Sequence, residues 1–391
     1  MIYNFDQVIN RRGTYSVKYD GLPDNMSDVI PLTTADMDFP TAQPVIDAMH
    51  RVADFNMYGY SSELCAPELM PAICGWWKRR FNAAITEEQI AVSVGILSAI
   101  DVAIQTFTAP GDGIIIQRPV FGFFTSRIEH FQRVVADNHL LCDDSGRYTM
   151  DFEDLERKCK DPFNRAMILC NPANPVGRAW TREELEKVCE ITRRNHVLLI
   201  CDEAHCDMIR RGYTHTTILN AAKEPDNIIL LSGVNKTFNV AGLMPSFAVI
   251  PDPSLRARFV RTRGYANPSA FSIAAMIAGY TQGEEWLDQV NAYIDDTMDF
   301  TVEYFKENLP WVKFRRPEGT YCLWLNFEAC RLSPDELDRR LLETARVKTS
   351  PGKSFDPAST MYRRICVPTP RSVLKTAYDR IADAFSNLPI V

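Results

Sequence analysis

Between residues 90 and 250 the chain alternates short apolar runs with amphipathic stretches. Ile90–Val94 reads as a strand, and Ser98–Thr108 then places Ile100, Ile104 and Phe107 on one helical face. Ala109-Pro110-Gly111-Asp112 reads as a turn. Further strands are expected at Ile114–Gln117, Arg133–Ala136, Ala166–Cys170, Val197–Cys201, Ile228–Leu231 and Phe247–Ile250. Thr181–Arg194 reads as a helix, with Thr181 as its N-cap and Glu184 completing a capping box. This rhythm predicts the α/β class, with a mostly parallel sheet covered by helices on both faces. In such sheets ligands bind beyond the C-terminal ends of the strands.

From residue 286 the pattern changes. A long helical stretch, Trp286–Asn308, leads to a strand at Tyr321–Asn326, a helix at Ser333–Arg346 and a last helix near Val373–Phe385. The expected organisation is a large domain over residues 46–285 and a smaller α+β domain from residues 1–45 and 286–391.

Composition adds exclusions. The 391 residues are 46% hydrophobic and 24% charged, which is ordinary for a globular protein. The net charge of −7 argues against nucleic acid or an anionic membrane as a partner. The N-terminus lacks the apolar segment of a signal peptide, and no apolar run is long enough to span a bilayer. The 11 cysteines are odd in number and form no CxxC, so reduced thiols and a cytoplasmic location are expected. Cys201, His205 and Cys206 cluster in sequence, but no second ligand pair lies at zinc-type spacing, and no metal is expected.

The chemistry concentrates at strand ends. Gly95-Ile96-Leu97-Ser98 opens a helix directly after a strand, where backbone amides can hold an anion; a plain tight turn is the alternative. Asn171-Pro172-Ala173-Asn174-Pro175-Val176-Gly177 is stiffened by its prolines and presents Asn174, unless it merely connects. Asp202 ends a buried strand, where a carboxylate needs a cation, either a pyridinium or an ordinary Lys or Arg. His205 follows it and could equally be structural. Lys236 lies between a buried strand and the apolar Val240–Leu243, where desolvation lowers a lysine pKa; an exposed lysine without a role is the alternative. In sequence order these supply partners for a phosphate, a ring oxygen, a ring nitrogen and an aldehyde, the four functional groups of pyridoxal 5′-phosphate.

The chain resembles the fold-type I pyridoxal-phosphate enzymes of the class I/II aminotransferase superfamily. Within them it is most similar to the cystathionine β-lyase-type C–S lyases, the group that includes the maltose-regulon modulator. The matching residues run nearly end to end: Phe5-Asp6, Arg11-Arg12-Gly13-Thr14, Ala35-Asp36-Met37-Asp38-Phe39-Pro40, Tyr58-Gly59-Tyr60, Asn171–Gly177, Asp202–His205, Asn235–Leu243, Glu318-Gly319-Thr320-Tyr321 and Pro370-Arg371-Ser372.

The resemblance implies a homodimer with active sites shared between subunits and an amino acid as substrate. It makes Lys236 the covalent cofactor lysine and the Cα proton carrier. It places Asp202 on the ring nitrogen, Asn174 on the ring oxygen with His205 near, and the amides of Ile96 and Leu97 on the phosphate. Phe121 would stack on the ring, where this group usually has Tyr. Tyr60 would reach the neighbouring subunit's site, and Ala35 and Arg371 would bind the substrate, Arg371 as the carboxylate clamp. Asn235 replaces the usual Ser before the lysine, and Gly233 stands where a phosphate-binding hydroxyl often lies, so Ser232 or Thr237 would serve. Thr34 stands where the lyases commonly have Trp. Ala241-Gly242-Leu243-Met244-Pro245 lacks the Arg that typical aminotransferases carry after the lysine, which favours the lyases. The activity expected is β-elimination from a cystathionine-like thioether or disulfide amino acid, giving pyruvate, ammonia and a thiol. Transamination is the first alternative and a regulator-binding role on the same fold the second.

Overall fold

The computed structural model describes residues 1–388. Seven strands form the main sheet: β1 (Ile90–Val94), β2 (Gly113–Ile116), β3 (Val134–Asp137), β4 (Asn164–Cys170), β5 (Leu198–Asp202), β6 (Ile228–Ser232) and β7 (Pro245–Val249). Their order across the sheet is β1-β7-β6-β5-β4-β2-β3. All run in one direction except β7, which is antiparallel to both β1 and β6.

The strands are apolar throughout because both faces of the sheet are covered. Successive side chains point to opposite faces. Met167, Leu169, Leu199, Cys201 and Leu230 accordingly pack into one cluster, and Ile168, Ile200, Ile229 and Leu231 into another on the opposite side. Helices α1 (Gln43–Asp54), α2 (Leu69–Phe81), α4 (Arg182–Arg194) and α5 (Ala270–Gln282) contribute to the first cluster. Helix α3 (Ile96–Phe107) contributes Ala99, Ile100, Ala103 and Ile104 to the second. The capping box at Thr181 and Glu184 forms as the sequence implies, with reciprocal bonds of 3.2 and 2.8 Å.

The mostly parallel α/β sheet is present, and the strands lie within a residue or two of their expected positions. Three differences are informative. β7 is antiparallel, a direction that an apolar run does not encode. The link from β6 to β7 holds only the turns Val234–Thr237 and Ala241–Leu243, too little for a crossover helix, so the chain turns back beside β6. The helix expected at Ser333–Arg346 is regular only over Pro334–Arg339 and then widens into a π turn at Arg340–Thr344. A strand at Tyr362–Cys366, which the sequence reading did not name, lies at the centre of a second sheet.

That second sheet has the order β8-β10-β9, from β8 (Cys322–Asn326), β9 (Ser350–Pro351) and β10 (Tyr362–Cys366), all antiparallel. Ile30–Pro31 pairs in parallel with Val347–Lys348, drawing the N-terminal segment onto the C-terminal third. The long helix α6 (Glu284–Asn308) and the last helix α7 (Arg371–Phe385) pack beside it. Among the described residues, no helix is long and apolar enough to cross a membrane.

Candidate functional site

Strand register gathers the candidate residues. Cys170 pairs with Asp202, and Asp202 with Leu231, so β4, β5 and β6 end level with one another. The loops carrying Asn174, His205 and Lys236 therefore leave from one edge. β7 begins at that same edge, with Pro245 opposite Val94, and the Gly95 amide donates to the Met244 carbonyl at 2.9 Å. This brings the N-terminus of α3 beside the lysine turn. Gly95 has φ +86°, a conformation that favours glycine, and no side chain caps the helix that follows. The first-turn amides of Ile96 and Leu97 are thus presented to an anion.

Lys236 lies on a single helical turn, Val234–Thr237, rather than in an open loop. Its Nζ donates to the Ala35 carbonyl at 2.6 Å, and the Tyr321 hydroxyl donates to the same oxygen at 2.8 Å. Thr34, just before, has φ +52°, an uncommon conformation for a β-branched residue, and this bend turns the segment towards the lysine. Asn239 holds the segment in place: its Oδ1 accepts from the Met37 amide, and its Nδ2 donates to the carbonyls of Met37 and Phe39, all at 2.9 Å. Burial lowers the Lys236 pKa, and Arg364 lowers it further, against the opposing charge of Asp36.

Asp202 is buried, and burial pushes its carboxyl up to about 6, although the Ala204 amide donates to it at 3.0 Å. His205 is buried with Nδ1 unpartnered, in edge contact with Tyr321 at 5.3 Å between ring centres. Burial first, and then the charges of Lys236 and Arg364, hold its pKa well below the usual range, so the ring is neutral. The buried side chain of Asn174 meets Arg364, with Oδ1 3.4 Å from Nη1. Phe121 is half-buried against Phe123 and Phe124.

These features fit pyridoxal phosphate on the structure's own terms. An uncapped helix start suits a phosphate, and a poorly solvated amine suits an aldehyde. Asp202 is buried without a close cation, which suits a protonated ring nitrogen.

Two of the expected residues have other contacts. Arg371 begins α7 with its guanidinium 5.4 Å from the Tyr293 ring and its Nε buried and unpartnered; its backbone amide donates to the Tyr293 hydroxyl, which itself donates to Asp6. The guanidinium near Lys236 belongs instead to Arg364, on β10. It is buried, donates to Ser350 Oγ at 3.2 Å, lies over the Phe355 ring at 5.0 Å and leaves Nε unpartnered. Among the described residues it has no acidic partner within ion-pair distance. Its signal in the sequence is an arginine pair inside Tyr362-Arg363-Arg364-Ile365-Cys366, a charge in the middle of an otherwise apolar strand.

Ser232 is the second case. Its hydroxyl donates to the Glu203 carbonyl at 3.2 Å and touches Cys206, beneath the site. Thr237 likewise turns away and donates to Asp207 at 2.8 Å. Gly233 leaves no room for a hydroxyl of its own: a Cβ there would lie 2.3 Å from the Pro245 carbonyl oxygen. Tyr60 is 98% exposed.

A family model described as aminotransferase class I and II matches residues 27–381. Cystathionine beta-lyase PatB of Bacillus subtilis is 35% identical over 389 residues, covering 98% of this chain and all of that protein. Protein MalY of Escherichia coli is 29% identical, covering 96% of each chain. The structure of cystalysin from Treponema denticola, which contains a pyridoxal 5′-phosphate cofactor, is 30% identical with a TM-score of 0.94, covering 99% of this chain and 100% of that one. Agreement over almost the whole length, in sequence and in fold, leaves one assignment: the chain belongs to the aminotransferase class I and II family.

Proposed function

We propose that this chain is a pyridoxal-phosphate-dependent C–S β-lyase. It cleaves a cystathionine-like thioether or disulfide amino acid to pyruvate, ammonia and a thiol. The observation that carries the reading is the meeting of Lys236, Asp202 and the unpaired, buried Arg364 at one sheet edge. Names of the relatives, lyase at 35% identity, and the absence of an Arg after Leu243 favour elimination over transamination.

Pyridoxal phosphate supplies, when bound, an electron sink that makes the substrate's Cα proton acidic. The chain's own residues do the rest. The amides of Ile96 and Leu97 hold the phosphate. Asp202 keeps a proton on the ring nitrogen, because its buried carboxylate is stabilised by that charge. Asn174 holds the ring oxygen, and Phe121 covers one ring face. Arg364 receives the α-carboxylate, the planar bidentate partner for which a guanidinium is suited. Its charge helps keep Lys236 unprotonated, and Nζ takes the Cα proton. The Ala35 carbonyl and the Tyr321 hydroxyl steer that amine.

The reading includes a homodimer. Phe55, Met57, Tyr58, Tyr60 and Leu64 are each more than 65% exposed in one short stretch, an apolar surface suited to a second subunit. Tyr60 then acts in the partner's site. Residues 46–285 form the cofactor-holding body, and residues 1–45 with 286–391 bring Ala35 and Arg364 to it. A cytoplasmic location accords with eleven free cysteines.

The test is pyruvate release from L-cystathionine or L-cystine with no keto acid added. Sustained release over many turnovers is expected, with the aldehyde absorbance of the cofactor retained. Product formation only when a keto acid is supplied would replace this reading with transamination.

A further inference from the structure

Four charged side chains gather at the segment that touches Lys236. Arg11 forks onto Asp36, with Nη1 3.2 Å from Oδ1 and Nη2 2.9 Å from Oδ2. The same Nη1 donates to Asp38 Oδ1 at 2.7 Å. Lys18 is buried, and its Nζ donates to Asp38 Oδ2 at 2.9 Å. That nitrogen also lies 3.7 Å from Asp36 Oδ1 and 3.5 Å from the Asp36 carbonyl oxygen. Two cations and two anions thus share one cluster. None of the four holds cofactor or substrate in the reading above.

The cluster begins one residue from the reacting amine. Ala35, whose carbonyl accepts from Lys236 Nζ at 2.6 Å, directly precedes Asp36. Arg11 also donates to the Met37 carbonyl at 3.1 Å, and the Asp38 amide donates to the Pro368 carbonyl at 2.8 Å. The backbone on this side of Lys236 is therefore tied down at every residue from 36 to 38. A buried ion pair adds little stability over apolar side chains of the same volume. What it does fix here is geometry and local charge. Burial opposes a proton on the amine, the Asp36 charge favours one, and Arg364 opposes it. Arg11 and Lys18 offset the Asp36 charge at close range. The other groups facing the amine are Arg364 and Cys366 on β10, Cys322 on β8, Tyr321 just before it, and Asp202 and His205 at the end of β5.

We propose that Arg11, Lys18, Asp36 and Asp38 are positioning residues for Lys236: they anchor the segment so that the Ala35 carbonyl meets the amine, and they set the charge that faces it. When Nζ takes the Cα proton it becomes an ammonium, and the Asp36 carboxylate and the Ala35 carbonyl stabilise that charge. Arg11 and Lys18 keep the same carboxylate from holding Lys236 protonated before substrate arrives. The inference rests on Lys236 being the reacting amine of the proposed lyase.

The test reads the amine directly. The full-length chain, freed of cofactor so that the amine is unblocked, is labelled with trace acetic anhydride over a pH series and mapped by mass spectrometry. The rise of acetylation with pH gives the Lys236 pKa. Asp36→Asn should lower it by about one unit, on the order expected when one charge is removed beside a buried amine. Lys18→Met should raise it, because Asp36 then acts with less offset; if that variant does not fold, Arg11→Met serves the same purpose. An unchanged pKa in Asp36→Asn, or shifts of one sign in the anion and cation variants, would overturn the proposal. A purely structural anchor has no reason to give opposite shifts. In parallel, the wild-type holoenzyme is reduced with borohydride and mapped. Opposite shifts at Lys236 together with a pyridoxyl group on another lysine would sustain the charge coupling and overturn Lys236 as the reacting amine instead.

Discussion

Two arginines are candidates for the carboxylate clamp that the sequence suggested for one. Neither has an acidic partner within ion-pair distance among the described residues: Arg364 is buried, and Arg371 lies against Tyr293 with its Nε buried and unpartnered. A buried guanidinium left unpaired is costly unless an anion completes it. Arg364→Lys keeps the charge and removes the planar fork, and should cost about 1.5–3 kcal/mol, roughly ten- to a hundredfold in apparent substrate affinity. Arg371→Lys should cost less affinity, because on this proposal its guanidinium does not receive the carboxylate. Steady-state kinetics on the two variants decides between them, and the reverse ranking would return the clamp to Arg371. Asp202 makes a different prediction. Its folded pKa of about 6 is raised, so cofactor-free protein favours its protonated form. The stability it contributes is present below the unfolded carboxyl pKa and is lost as pH rises to about 6. Asp202→Asn should therefore stabilise the cofactor-free protein relative to wild type by an amount that grows between pH 4 and pH 7, while weakening cofactor retention. Thermal melts of both proteins across that range measure it, and a difference independent of pH would refute the burial argument.

Among the elements, the turn that carries Lys236 is set by the strands around it. Gly233 packs against Pro245 and Ser246 of β7, and Asn239 pins the 34–39 segment above the amine. A side chain at position 233 would meet the backbone of β7, with a Cβ 2.3 Å from the Pro245 carbonyl oxygen. Gly233→Ser should destabilise the protein by about 1–3 kcal/mol through overpacking, and should not improve phosphate binding. Urea unfolding and cofactor titration give the two readouts; a variant as stable as wild type with tighter cofactor binding would contradict the packing. Much of this was legible in the sequence. The apolar runs located the sheet strands, and Asn174, Asp202 and Lys236 lie at strand ends as that pattern implied. Arg364 was not found, because its strand is interrupted by two arginines and shows no clean alternation. The direction of β7 was hidden for another reason: burial on both faces makes parallel and antiparallel strands alike in composition.

For the whole molecule, the exposed stretch from Phe55 to Leu64 is the feature a single chain does not explain. If Tyr60 acts in the partner's site, mixing Tyr60→Ala and Lys236→Ala chains creates one intact site in each mixed dimer. Some activity should return on subunit exchange, measured as pyruvate release from two otherwise inactive preparations. No recovery despite proven exchange would place Tyr60 outside the partner's site.

What the sequence determined by itself was local and periodic. Alternating apolar runs and helical faces define which segments bury, and hence the α/β layers. Gly95, Asn174, Asp202 and Lys236 are tied to strand ends by short spacing, so their convergence follows once the sheet forms. The tertiary structure alone decided the contacts made across long separations. It set Arg364 near Lys236, turned the Ser232 and Thr237 hydroxyls into the interior, and set Cys322 against Cys366. Each of these depends on the register of one strand against a distant one, and a shift of a single residue would turn every side chain on that strand to the opposite face. Local pattern carries no information about that register; the packing of the two sheets against the N-terminal segment fixes it.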